Sequence, residues 1–204
     1  ITHILYLSEV KGSSTFSGAE NHLWTLLPAQ VKAGLDVELI CILWRGTDFA
    51  QVQKKLSDME VMGMKIIKIK RVQVESHLFE PITKLYAWYI LWKYLLFRRN
   101  NIIHLHLEMI YTPFIAFLAG CRKLIFSIHN DEPVYQKWQW RVRLHILKYI
   151  VPQYIAITNR VKEYYTSVSG AKTEKVTTVY YGVNPSNLPA YTRQEFGISA
   201  DAFV

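Results

Sequence analysis

An α/β fold organised as a doubly wound parallel sheet is the class this sequence predicts. Short apolar runs alternate with longer stretches of helical periodicity along most of the chain. The apolar runs are rich in Val, Ile and Leu on both alternating faces, as strands covered on two sides must be. The polar clusters fall just after these runs, where the ligand crevice of such a sheet lies.

The elements follow in order. Thr2 to Ser8 reads as the first strand, then a polar loop from Lys11 to Ser17. A helix from about Gly18 to Ala33 is closed by Gly34, a residue suited to a helix C-cap. Asp36 to Leu43 is the second strand, residues 48–62 a helix ending near Gly63, and Lys65 to Ile69 the third strand. The rhythm then repeats. Residues 82–99 form a long helix, Asn101 to Leu107 a strand, and Ile110 to Ala119 a helix closed by Gly120. Lys123 to Ile128 is a strand, Val134 to Ile150 a helix, and Tyr154 to Ile157 a strand. Asn159 to Ser167 is a helix and Val176 to Tyr180 a last short strand. The first strand is expected to lie inside the sheet, with helices on both faces. Thr192 to Ile198 has the composition of a linker, and Ala202-Phe203-Val204 has the pattern of a strand that does not finish. Residues 1–191 are thus expected to be one domain, and 192–204 a linker with the start of a truncated second domain.

Composition narrows the class. The chain has 204 residues, half of them hydrophobic and a fifth charged, which suits a buried core and not a disordered segment. The formal net charge is +8, which favours anionic partners such as nucleic acid, an acidic membrane surface or phosphorylated small molecules. No nucleic-acid-binding motif is present, so nucleic acid is not an expected partner. The two cysteines, Cys41 and Cys121, sit in apolar runs read as strands. They are expected to be reduced core thiols, which suits the cytosol. The opening residues lack a charged leader, and no run reaches the roughly 18 apolar residues that span a bilayer.

Five polar clusters are candidates for chemistry. Ser17-Gly18-Ala19-Glu20 enters the first helix, where unpaired amide N–H groups and a small residue let a phosphate approach. The dinucleotide pattern GxGxxG is absent, which counts against a nicotinamide cofactor. His104, His106 and Glu108 alternate along the end of the fourth strand and so share one face. Three such groups could ligate a metal. No further ligand follows at the spacing of a metallohydrolase, and the expectation is no metal, with a hydrogen-bonded histidine pair under the crevice. His129-Asn130-Asp131 closes the fifth strand, where a histidine can donate to sugar hydroxyls or polarise a leaving group. Thr158 caps the turn after the sixth strand. Gly182 and Asn184 belong to a polar turn after the last. Each cluster also has a plain structural reading as a cap or tight turn.

Taken together and in order, these stretches resemble the N-terminal domain of the retaining glycosyltransferases of family 4, which have the GT-B fold with a Rossmann-like sheet in each half. Ser17-Gly18-Ala19-Glu20 is similar to the family's Gly-Gly-Ala-Glu turn, with Ser17 in place of the first glycine. His104-Leu105-His106 matches its His-x-His strand end. Ile128-His129-Asn130-Asp131 resembles its His-Asp turn with Asn130 inserted. Tyr154 to Thr158 resembles its I-A-V-S strand end. Val179 to Asn184 resembles its I-P-N-G-V-D turn, with Tyr181 replacing asparagine and Asn184 replacing aspartate. The resemblance implies transfer of a sugar from a nucleotide diphosphate sugar to a saccharide or lipid-linked acceptor, with retention and no separate cofactor, in the synthesis of cell-surface polysaccharide or glycolipid. By likeness, Gly18 with Ser17 would approach the donor diphosphate and His129 the transferred sugar, as the catalytic group. Glu20, His106, Glu108, Asn130, Asp131, Thr158 and Asn184 would line the acceptor side of the cleft. The family's E-x7-E pair, carried by its second domain, is not in this sequence, so the chain alone is expected to be inactive. Two competing readings stand beside this one: a nucleotide-binding Rossmann-like domain of another class, and a non-catalytic membrane or interaction module.

The helix at 82–99 is apolar around most of its circumference, and Lys137-Trp138-Gln139-Trp140-Arg141-Val142-Arg143 mixes tryptophans with bases. Both stretches fit either a helix packed on the sheet or peripheral seating on an anionic membrane, on its cytoplasmic side.

Overall fold

A computed structural model describes residues 1–7, 18–43, 49–70, 80–106, 111–131 and 133–182. Seven strands form one sheet: β1 Thr2–Leu7, β2 Glu38–Leu43, β3 Lys65–Lys70, β4 Ile103–His106, β5 Leu124–Ile128, β6 Gln153–Ala156 and β7 Val176–Thr178. Their order is β3-β2-β1-β4-β5-β6-β7, and every neighbouring pair is parallel. The order reverses between β1 and β4. There Thr2 to Leu5 run beside Ile103 to His106, and the carboxyl ends of these two strands form the topological switch point.

Six α-helices cover the described sheet in two layers: α1 Gly18–Lys32, α2 Phe49–Val61, α3 Glu80–Leu96, α4 Tyr111–Leu118, α5 Trp138–Ile150 and α6 Asn159–Ser169. Leu23 and Leu27 of α1 and Val52, Leu56 and Met59 of α2 pack with Leu5, Leu39 and Cys41 of the strands. The alternate strand residues Ile4, Ile40, Leu105 and Phe126 face the other layer. There they meet Ala87, Leu91 and Leu95 of α3, Ala116 of α4, Leu144 and Leu147 of α5, and Val161 and Tyr165 of α6. Period-two strands thus feed two cores, and helical spacing of three or four supplies each inner face.

Helix ends fall where glycines mark them. At the end of α1 the amide of Leu35 donates to Gln30 and that of Gly34 to Val31, the paired bonds of a Schellman turn. That turn requires the left-handed backbone that Gly34 adopts at φ 79°.

Two details differ from the sequence expectation. The stretch expected as one helix from Val134 to Ile150 is a short 3₁₀ turn, Pro133–Gln136, followed by α5. Lys137 between them is extended (φ −63°, ψ 136°) and ends the helical ladder. Cys121 lies in the turn after α4 and not in a strand, although it is buried as expected, and its thiol contacts the carbonyl of Leu95. Cys41 is buried in β2, and burial pushes its thiol up to about 12, so it is an inert core residue.

Candidate functional site

A chain of rings from five segments runs from the body of the sheet toward its carboxyl edge. His3 on β1 and His104 and His106 on β4 point to the α1 side of the sheet, because in-register neighbours of parallel strands share a face. His3 Nδ1 and His106 Nε2 are 3.0 Å apart and share a hydrogen bond. His104 Nε2 bonds the hydroxyl of Ser127 on β5 at 2.8 Å. The rings of His104 and His106 are 3.9 Å apart. The histidines of β4 therefore lie side by side, as expected, but bond outward to Ser127 and His3 and not to each other.

His129, just past β5, stands above this layer with its ring 6.1 Å from that of His106. Its Nδ1 is closed off by the hydroxyl of Tyr181, from the segment after β7. The Tyr181 ring in turn stacks on His22 of α1, with centroids 3.7 Å apart. This links the start of α1, the ends of β4 and β5 and the segment after β7 at one edge. Gly18, which opens α1, and His129 therefore occupy the same end of the sheet.

Burial sets the electrostatics. It lowers the pKa of His3 and His129 to about 4 in each case, with Gln30 beside His3 acting in the opposite sense. His104 and His106 are pushed well below the usual histidine range, first by burial and then by neighbouring histidines. All four are neutral at pH 7, so each ring carries one N–H donor and one lone pair. When the Tyr181 hydroxyl donates to Nδ1, the His129 proton must sit on Nε2. That atom is buried and has no partner among the described residues. In that tautomer Nε2 is an uncharged donor in a poorly hydrated place, where a hydrogen bond counts for more than in water.

His3, His104 and His106 also offer nitrogens within 4.8 Å of one another. The group is three neutral rings without a carboxylate, and two of its nitrogens already bond each other. We read it as a polar floor near His129, whose ring lies 6.1 Å from that of His106.

The remaining sequence-derived residues take the following places. His106 is buried, with its ring 6.1 Å from that of His129. Asp131 accepts hydrogen bonds from the guanidinium of Arg160, 3.0 Å from Nε and paired at 2.7 Å with the terminal nitrogen. Thr158 caps α6, its hydroxyl oxygen accepting from the Val161 amide at 3.1 Å. Asn159, next to it, accepts a bond from the Thr178 hydroxyl at 2.7 Å, which ties the start of α6 to the end of β7. Asn130 is exposed beside His129. Glu20 lies in the first turn of α1. Ser17, Glu108 and Asn184 lie outside the described residues, as do the loop 71–79 and the linker 192–204.

Sequence reasoning missed His3, His22 and Arg160. No local spacing points to His3, whose partner is 103 residues away. Arg160 could have been found, as a base in the first turn of a helix that opens at the crevice edge.

A concavity of about 820 Å³ lies at the opposite edge, lined by Glu38, Lys65, Lys93, Tyr94, Phe97 and Arg98 among others. It sits at the amino ends of β2 and β3, away from the histidines. Three of its charges engage one another, with Glu38 bonded to Arg98 and paired with Lys65 at 3.3 Å. We place the functional site at the carboxyl edge, where polar groups from separate strands converge.

Residues 16–187 match the family model described as Glycosyltransferase Family 4. The chain belongs to glycosyltransferase family 4. Solved structures place this family 4 domain on the GT-B fold. It superposes on HepE of Anabaena, solved with UDP and glucose and again with UDP-glucose, at a TM-score of 0.55 in both cases. Sequence identity is 16% and 15%, over 95% and 96% of this chain and 50% of that one. It also superposes on a glycosyltransferase from Rickettsia africae at TM-score 0.57 and 14% identity, over 98% of this chain and 50% of that one. The chain thus spans about half the length of the solved structures it matches. No curated protein matches the chain.

Proposed function

We propose that this domain forms one wall of a cleft in which a hexosyl group passes from a nucleotide diphosphate sugar to a saccharide or lipid-linked acceptor, with retention. The observation that carries the reading is the convergence of His129, Tyr181 and the start of α1 at the switch point of a family 4 domain. The start of α1 would turn the positive end of its helix dipole toward a diphosphate, with Gly18 letting it come close. His129, neutral and carrying its proton on Nε2, would donate to a hydroxyl of the transferred sugar and fix its orientation. HepE of Anabaena, solved with UDP-glucose, supports a nucleotide sugar as donor substrate. An assignment to cell-surface polysaccharide or glycolipid synthesis at the cytoplasmic face of a membrane extends this reading.

The full-length enzyme, incubated with nucleotide sugars and a saccharide acceptor, should release the nucleoside diphosphate and form a product of unchanged anomeric configuration by NMR. An inverted product would overturn the retaining mechanism. Donor turnover that is indifferent to His129→Ala would remove the site assignment.

A further inference from the structure

The two helical layers have unlike outer surfaces. On the α1–α2 side, the one exposed large apolar residue within a helix among the described residues is Val61, the last of α2. On the other side α3 exposes Ile82, Leu85, Tyr86, Tyr89 and Leu96, and Phe97 just after it is exposed as well. These positions recur at helical spacing and form a second apolar stripe, opposite the one that Ala87, Leu91 and Leu95 bury against the sheet. Leu85 is 60% exposed and Tyr86 55%. α5 repeats the arrangement with Trp138, Val142, Ile146 and Tyr149, and Trp138 is 73% exposed.

α4 lies between them and makes the surface continuous. The Trp88 ring of α3 is 5.0 Å from that of Tyr111, the first residue of α4. Arg143 of α5 sits over the same Tyr111 ring at 5.4 Å. Because parallel crossovers send each helix back against its strands, helix N-termini lie at the carboxyl edge of the sheet. Ile82, Tyr86, Tyr111 and Trp138 are therefore at the crevice end of this face.

Its charge is of one sign. The sequences of α3, α4 and α5 hold a single acid, Glu80, against Lys84, Lys93, Arg141, Arg143 and Lys148. Among the described residues, Lys93, Lys137 and Arg141 form no ion pair. A face meant for solvent would carry mixed charge, and a face meant for a sheet would be covered. Aromatic residues interleaved with unpaired bases match a lipid headgroup layer, where rings sit at the interface and bases meet phosphates. No helix among the described residues is long and apolar enough to cross a membrane, so the contact is with a surface.

We propose that the α3–α4–α5 face docks on an anionic lipid bilayer, with the crevice end of the three helices at the headgroups. Docking there would bring the cleft to an acceptor carried on lipid. That consequence rests on the transfer reading, but the docking itself stands on the surface alone.

The test is co-sedimentation of the full chain with phosphatidylcholine vesicles, with and without phosphatidylglycerol. Binding to the anionic vesicles at low salt, weakening as salt is added, is the expected result. Lys137→Ala with Arg141→Ala should weaken it about thirtyfold, from the usual contribution of a base near anionic lipid. Tyr86→Ser with Tyr89→Ser should weaken it as well, with the circular dichroism spectrum unchanged. Absence of binding at low salt, or binding indifferent to both double variants, would overturn the proposal. So would a dimer in solution that Tyr86→Ser with Tyr89→Ser splits, because the face would then be a contact between copies. Turnover of a water-soluble acceptor, measured without vesicles, reports on sugar transfer separately, so the two readings can fail independently.

Discussion

The hydroxyl of Tyr181 meets Nδ1 of His129, so a residue after the last strand is bonded to one at the end of the fifth. Tyr181 stands where the family pattern has asparagine. Its ring stacks on His22 and would hold its place without the hydroxyl. Tyr181→Phe should therefore leave folding and donor KM nearly unchanged and lower kcat about tenfold, the worth of one net hydrogen bond. A loss confined to KM would mean that Tyr181 contacts the donor and does not position His129.

His129→Ala in the full-length enzyme removes the directed donor itself. Turnover should fall roughly a hundredfold or more, as with other positioned polar groups. His104→Ala, in the floor beneath, should act mainly on melting temperature, since its partner is the structural Ser127 hydroxyl. Equal small effects on turnover from both changes would return His129 to a structural role.

Acid should weaken this fold early. His3 and His129 stay neutral in the folded state down to about pH 4, whereas unfolded histidine takes a proton near pH 6.5. Between those values the unfolded chain binds more protons, so stability falls as pH drops from about 6.5 to about 4. Each such group contributes a slope of about 1.4 kcal/mol per pH unit. His104 and His106 add to it in the same direction. Urea midpoints measured from pH 8 to pH 4 should show this decline, and a flat profile would contradict the buried neutral cluster.

A second acid-sensitive element lies at the other end of the sheet. Burial would raise the Glu38 carboxyl, but Arg98 and Lys65 outweigh it and hold the pKa below the usual carboxylate range. That contribution is present above the unfolded carboxylate pKa and is lost as pH falls through the lower, folded value. Its window therefore lies below that of the histidines. Glu38→Gln should cost about 2–3 kcal/mol at neutral pH, because Arg98 is left largely buried beside a neutral partner. It should also flatten the lowest part of the acid profile and leave the histidine part unchanged.

The order of elements was legible because short apolar runs alternate with helical stretches and several helices close with a glycine. Gly34, Gly63 and Gly120 fall at the helix ends where they were expected. The break at Lys137 was not legible, since nothing in Pro133 to Trp138 forbids a continuous helix by periodicity alone. The outer stripe of α3 was visible only as excess apolarity. It took the burial of Ala87, Leu91 and Leu95 to show which residues were left outside. The site was legible as separate strand ends, because loops after parallel strands collect polar residues. The contacts that make it one object, His3 with His106 and Tyr181 with His129, depend on strand register across distant segments, which composition does not encode.

The reversal of strand order between β1 and β4 has a kinetic consequence. Residues 1–70 can pair β1, β2 and β3 through local crossovers, and residues 103–178 can pair β4 to β7 in the same way. Only the β1–β4 ladder joins the two groups. Forming it closes a chain segment of about a hundred residues, whose ends must be found before any contact rewards them. The bond between His3 and His106 spans that seam. The histidine floor therefore does not exist in either group of strands alone. During refolding, binding competence should follow the slowest long-range pairing in the molecule and lag behind the recovery of helical signal.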